Sequence, residues 1–588
     1  MAPRRGVRLV LSLIGLAVVV SMAAVVLMFF AVSRGPSVPS SATLVLRPGG
    51  ELPEVEPDDV VGQVFGRDVN TVRGFVEALR RASRDDRVRA VLLVPSSLNL
   101  PYWGKVQEMR DAIVAFRKSG KHVTAYLEFG GDREYYLASA ADRVFLMPTS
   151  SLDLTGVASY EMFLRGTLDK IGAYPDFVHI GDYKTAPNQL TQKGFTPAHR
   201  EMAQSLNRDM YEQLVAGIAE GRKKSENEVR DLLDKGPFIA SDALAAGLVD
   251  ELAYEDQLDD RVPELGDAKA GRRIEGGDYQ RIRPQSAGLR PRSRIAVLYV
   301  VGTIVSGKSG FDAVNGSVVG SDTIVDQIRK IRDDDSIKAI VLRVDSPGGS
   351  SVASDVIWRE LTITREEKPS RPIVTSMSDL AASGGYYIAI PADSIVAQPG
   401  TLTGSIGIFG GKIVIGGMLD KAGVTTEAIT SGANADIYSP FAPFTPAQRA
   451  KIAAFMEDFY KNFLKKVAES RKSTPEAIHT VAQGRVWTGR QALKHGLVDA
   501  LGGLDAAVAL AKEKAMIPAN EEVQLVVYPE RRSLLDALSE QFGGVGSAGL
   551  WSMLTGTSER RAMAALSAPT RLFRRGEPLA LMPFAFVR

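Results

Sequence analysis

The chain has 588 residues, 45% hydrophobic and 24% charged, with a formal net charge of +2 and no cysteine. That length exceeds one ordinary domain, and the balance is that of a globular protein with ample material for a core. The missing cysteines exclude disulfides, thiolate catalysis and cysteine-ligated metal, and the near-neutral charge offers no field for nucleic acid.

The first element is residues 9–33, uncharged and mostly apolar, preceded by Arg4, Arg5 and Arg8 and followed by Arg34. About 20 such residues cross a bilayer core, whereas a cleaved signal peptide has an apolar region of about 7–15. The excess of arginine before the run predicts an uncleaved single-pass anchor, with residues 1–34 as cytoplasmic stub and span and the body on the outer side.

The apolar strand ATLVLRP starts at Ala42 and opens a first unit, 42–262. A polar stretch rich in Gly, Arg and Pro, 263–293, reads as a linker. A second unit, 294–520, opens with the strand RIAVLYVVG and continues with the amphipathic helix TIVDQIRKIRDDDSI, the strand KAIVLRV and the strand PIVTSM. Strands alternating with helices predict an α/β fold with a mainly parallel sheet in each unit. The tail, 521–588, has amphipathic segments and scattered Pro and Gly and carries no assignment.

The two units are copies of one another. YYLASAAD from Tyr135 matches YYIAIPAD from Tyr386; LDKIG from Leu168 matches LDKAG from Leu419. FTPAHR from Phe195 matches FTPAQR from Phe444, and SDALAAGLVDEL matches RQALKHGLVDAL, in the same order. Tyr135 and Tyr386 are 251 residues apart, as are Leu168 and Leu419. A period that long marks a duplicated domain, not a solenoid.

Candidate chemistry lies in the second unit, where SPGG (Ser346, Pro347, Gly348, Gly349), AASGGYY around Ser383 and TLTGSIG around Ser405 follow predicted strands. Ser383 stands between Ala382 and Gly384, so no bulky neighbour blocks a peptide from its Oγ. The Gly384 N–H and an N–H from Gly348 or Gly349 form an expected oxyanion hole. None of the five histidines repeats between the units or falls in these motifs, which leaves a serine–lysine pair as the favoured arrangement. A lysine base must be neutral, so its pKa of ~10.4 has to fall by about 3 units, ~4 kcal/mol, through burial. Lys184 in HIGDYKTAP sits among apolar and small residues with Asp182 as the nearby charge.

The period joins these two candidates. Moved by 251, Lys184 falls on Ala435 and Ser383 falls on Asp132. Each copy holds one partner and lacks the other. Aligned on the shared TG, Ser405 pairs with Val157, and its hydroxyl is the group expected to hydrogen-bond and orient the lysine amine.

The motifs LRVDSPGG, AASGGYY, TLTGSIGIF, VWTGRQAL and GDYK together resemble the signal peptide peptidase A family, also called protease IV, in its long duplicated form. The resemblance spans the chain from the anchor to about Asn520. It implies tandem crotonase/ClpP-like spirals of ββα units and a Ser/Lys dyad at Ser383 and Lys184. It further implies digestion of remnant signal peptides at a bacterial cytoplasmic membrane and a homotetramer, with neither metal nor other cofactor. A crotonase-type acyl-CoA hydrolase and a non-catalytic membrane scaffold are the competing readings.

Overall fold

The computed structural model describes residues 37–55, 71–265, 272–282, 291–312, 316–530, 579–582 and 586–587. The apolar run 9–33, read as an anchor, lies outside the described residues. Among the described residues no helix is long and apolar enough to cross a membrane.

The first half builds a six-stranded sheet from β1 (Ala42–Leu46), β2 (Val88–Leu93), β3 (His122–Leu127), β4 (Arg143–Leu146), then, beyond β5 (Tyr174–Ile180), from β6 (Glu251–Leu252) and β7 (Arg273–Glu275). Its order is β6-β4-β3-β2-β1-β7, with every pair parallel. The second half contributes β8 (Ser293–Val301), β9 (Ile337–Ser346), β10 (Gly348–Ser350), β11 (Ile373–Ala382), β12 (Leu402–Gly404), β13 (Ile408–Val414) and β14 (Val486–Thr488). Beyond the repeat come β15 (Val523–Tyr528) and β16 (Leu579–Leu581). The second sheet runs β14-β12-β11-β9-β8-β15 and is parallel except for β14 on β12. Near-continuous apolar runs suit parallel strands covered on both faces, and Ile295 to Val300 of β8 are all buried.

Repeated sequence becomes repeated structure. In both FTPA motifs the threonine caps a long helix and proline takes its first turn, where the missing N–H costs nothing. Thr196 accepts from the His199 N–H above helix Pro197–Arg222, and Thr445 from the Gln448 N–H above helix Pro446–Ser470. The buried Tyr135 hydroxyl donates to the Leu248 carbonyl at 2.6 Å, and its copy Tyr386 donates to Leu497 at 2.7 Å.

Two of the contacts that join the halves bear on the site. Strand β5 of the first pairs antiparallel with β13 of the second over seven residues, from Ile180 opposite Ile408 to Tyr174 opposite Val414. Behind this seam a buried ionic cluster crosses the junction. Arg343 takes Glu54 in a two-pronged pair at 2.8 and 2.9 Å and Glu108 at 2.6 Å. The Lys105 ammonium lies 2.7 Å from Asp345 and 3.7 Å from Asp379, and its backbone N–H donates to Asp379 at 2.9 Å. Burial would raise the Glu54 carboxyl, but the Arg343 charge overrides it and holds the group at about 2. Burial, opposed by Lys105 and aided by Asp345, pushes Asp379 up to about 6.

The stretch 263–293, expected to be a linker, is only partly one. Residues Arg273–Glu275 form β7 at the edge of the first sheet, and Ile274 and Tyr279 are buried. Three residues joined to an existing sheet edge draw their order from ladder hydrogen bonds, which composition does not reveal. The second sheet likewise continues past the repeat, since β15 lies along β8 over six residues.

Candidate active site

Strand β11 delivers Ser383. It ends at Ala382, and the short helix Gly384–Ala389 begins at once, with Ser383 at φ 55°, ψ −111°. A positive φ at a non-glycine residue costs roughly 1–3 kcal/mol and persists only where surroundings enforce it. Here the Ser383 N–H donates to the Gly404 carbonyl at 2.8 Å, and its carbonyl accepts from the Tyr387 N–H at 2.8 Å. The side chain does not cap the helix, so the hydroxyl is left for other use.

Strand β5 delivers Lys184, four residues beyond its end. The turn passes through Gly181 at φ 91°, and the Tyr183 N–H donates to the Gln483 carbonyl of the second half at 3.1 Å. The lysine stem lies along two glycines. A Cβ on Gly484 would come within 2.5 Å of the Lys184 Cα, and one on Gly407 would stand 3.3 Å from its Cδ. Gly484, at φ 81°, is a residue that sequence reasoning missed. Its only signal is a glycine just before the repeated VWTGRQAL segment.

The Lys184 Nζ donates to the Ser383 Oγ at 2.8 Å, to the Ser405 Oγ at 3.0 Å and to the Ser405 carbonyl at 3.2 Å. All three side chains are fully buried. Burial alone drives the lysine pKa well below its ordinary value, and no carboxylate counters it, Asp182 included. A neutral amine held against a hydroxyl is what a general base for serine requires. Ser405 is held at φ 49°, its N–H donating to the Arg485 carbonyl at 2.7 Å.

The glycines converge on the same point. Strand β9 ends at Ser346, and Pro347 leads on to Gly348 at φ 100° and Gly349 at φ 154°. A Cβ on Gly348 would lie 2.7 Å from the Gly384 nitrogen. Side chains are excluded here by crowding as well as by backbone shape. The Gly348 N–H donates to the Ser346 Oγ at 3.2 Å, an engagement that sequence did not suggest.

The first half is different at the equivalent places. Asp132, the counterpart of Ser383, accepts from the N–H groups of Thr155 at 3.1 Å and Gly156 at 2.9 Å. Glu134 takes the Leu98 N–H at 2.6 Å. Carboxylates of the chain itself occupy the amides there. Ala435, the counterpart of Lys184, is exposed in a turn. Among the described residues no group of His, Asp or Glu is arranged to hold a metal ion.

Comparison with known proteins gives the same division into copies. The Peptidase family S49 pattern matches twice, over residues 115–269 and 365–517. The chain is 35% identical over 473 residues to the chloroplastic serine protease SPPA of Arabidopsis thaliana, covering 79% of this chain and 68% of that one. Protease 4 of Salmonella typhi is 34% identical over 487 residues, with 81% and 76% covered. Protease 4 of Haemophilus influenzae is 30% identical over 529 residues, with 86% and 84% covered.

Proposed function

The chain is a serine protease of peptidase family S49, in the long duplicated form of signal peptide peptidase A, and from that premise we propose that it works through a Ser383–Lys184 dyad on remnant signal peptides. The observation that carries this reading is the buried Lys184 amine, 2.8 Å from the Ser383 Oγ and far from any charge that would keep it protonated. Neutral Lys184 takes the Ser383 proton as Oγ attacks the peptide carbonyl. The oxyanion rests on the Gly384 amide and on one from Gly348–Gly349. Lys184 then returns the proton to the leaving amine and activates the water that hydrolyses the acyl-enzyme. Ser405 keeps the amine aimed through its hydroxyl and carbonyl.

The substrate class follows from the family resemblance and from the apolar surroundings of the site. The same resemblance, with the apolar run at 9–33 and its preceding arginines, supports a body anchored at the outer face of a bacterial cytoplasmic membrane. A homotetramer and tandem ClpP-like spirals belong to the same reading. The decisive experiment combines a fluorophosphonate probe with hydrolysis of a synthetic apolar peptide. Labelling at Ser383, with hydrolysis lost in Ser383→Ala and Lys184→Ala, is the expected result. Full activity in Lys184→Ala sinks the dyad.

A further inference from the structure

One turn of the second half holds two of the three groups at the site. In the turn 482–485 the Gln483 carbonyl accepts from the Tyr183 N–H at 3.1 Å, and the Arg485 carbonyl accepts from the Ser405 N–H at 2.7 Å. Gly484, between them, lies against the Lys184 Cα, and its N–H donates to the Ile406 carbonyl at 2.9 Å. Lys184 and Ser405 are thus fastened to three consecutive residues. The distance between them, and the aim of the amine at Ser383, follow the position of this turn.

A side chain holds the turn in its own place. Gln483 stands at φ 54°, uncommon for any residue but glycine. Its N–H donates to the Tyr460 hydroxyl at 3.1 Å. Tyr460 belongs to the long helix Pro446–Ser470 and is buried. The same hydroxyl lies 2.9 Å from the Nδ1 of His479, an exposed residue of the helix Pro475–Val481. With the Gln483 N–H on its oxygen, the phenol keeps its own proton for Nδ1, which puts the ring hydrogen of a neutral His479 on Nε2. A continuous path therefore runs from the surface through His479, Tyr460 and Gln483 to Tyr183, the residue before Lys184.

We infer that Tyr460 is a positioning residue for the reaction, its hydroxyl setting the turn that aligns Lys184 and Ser405 with Ser383. This rests on the dyad reading above. Without the hydroxyl the Gln483 N–H loses its partner, and a donor withdrawn from water is costly to leave unpaired. The turn then shifts to recover a bond, and the lysine amine moves with it. The duplication supplies an internal control. Moved back by 249, the spacing of Phe195 and Phe444, Tyr460 falls on Tyr211. The Tyr211 ring lies 3.4 Å from where a Cβ on Gly156 would stand, in the half that has Asp132 in place of the nucleophile.

Steady-state hydrolysis of an apolar peptide by the full chain and its Tyr460→Phe, Tyr211→Phe and His479→Ala variants tests the inference. Misplacing a catalytic group by about 1 Å costs on the order of 10²-fold, so kcat in Tyr460→Phe is expected to fall by about 10- to 100-fold with KM little changed. Tyr211→Phe is expected to keep the parental kcat. His479→Ala frees the hydroxyl from the surface without touching the core, and kcat is expected to fall by a smaller factor. Parental kcat in Tyr460→Phe overturns the inference; should that chain not fold, parental kcat in His479→Ala does so. An equal fall in Tyr211→Phe, or a loss carried by KM alone, overturns it as well. Activity retained in Lys184→Ala removes the dyad and this reading with it, whereas activity lost there beside an unchanged Tyr460→Phe removes only the role of Tyr460.

Discussion

Lys184 and Ser383 are 199 residues apart in the chain and 2.8 Å apart in space, each on a different copy of one duplicated domain. What closes that distance is the seven-residue pairing of β5 with β13. It ends at Ile180 and Ile408, just short of Lys184 on one strand and just past Ser405 on the other.

Replacing Lys184 by arginine puts a permanent positive charge where the neutral amine stood and removes the base, since a guanidinium does not deprotonate in proteins. Peptide hydrolysis in Lys184→Arg is expected to fall by a factor of order 10⁴ or more in kcat, as when a serine nucleophile loses its base. Steady-state assays on a soluble apolar peptide measure this. Activity within tenfold of the parent contradicts a lysine base.

The pH dependence has a definite sign. Burial lowers the Lys184 pKa well below its ordinary 10.5. The neutral, active form therefore predominates above that lowered value, and kcat/KM should rise with pH through one ionisation to a plateau reached well before 10.5. Between those two values the unfolded chain binds more protons at this group than the folded one. On its account stability grows as pH rises through that window. A rate that falls as pH rises across neutrality contradicts the assignment.

Gly484→Ala tests the support beneath the lysine. The added Cβ would stand 2.5 Å from the Lys184 Cα at a backbone angle of φ 81° that disfavours any side chain. Displacing a catalytic group by about 1 Å costs on the order of 10²-fold in rate. The expected result is such a loss in kcat with KM little changed and the circular dichroism spectrum preserved. Unchanged kcat removes Gly484 from the site.

Lys105→Met tests the buried ionic cluster. It leaves Asp345 and Asp379 without the ammonium that sits 2.7 and 3.7 Å away. Breaking a buried pair from one side costs about 3–5 kcal/mol. A matching drop in urea midpoint is expected, with Lys105→Arg recovering part of it. Because Asp345 leads to Gly348 and Asp379 to Ser383, kcat should fall as well. An unfolding free energy within about 0.5 kcal/mol of the parent excludes a structural role.

Much of this arrangement is legible in the residue pattern alone. Hydrophobic runs mark the parallel strands, FTPA marks two helix starts, and the repeat spacing couples Ser383 to Lys184. Other parts depend on three-dimensional neighbours. Gly484 matters only because Lys184 lies against it, and the short β7 exists only because β1 offers an edge. The Gly348 N–H looks free in sequence, yet Ser346 takes it. The strand Leu579–Leu581 carries no signal that distinguishes it from any short apolar run. Its place is set by the groove between β10 and β13.

The seam between β5 and β13 also sets a timetable. Neither copy alone holds a serine with a base: the first offers Asp132 where the nucleophile would stand, and the second offers Ala435 where the amine would stand. On the proposed dyad, a half-made chain leaving the ribosome therefore contains no cutting centre. Lys184 is synthesised first and stays inert, and Ser383 has no proton acceptor until both halves have folded and closed against each other. Destructive chemistry is thereby withheld from the growing chain, with folding itself as the activation step.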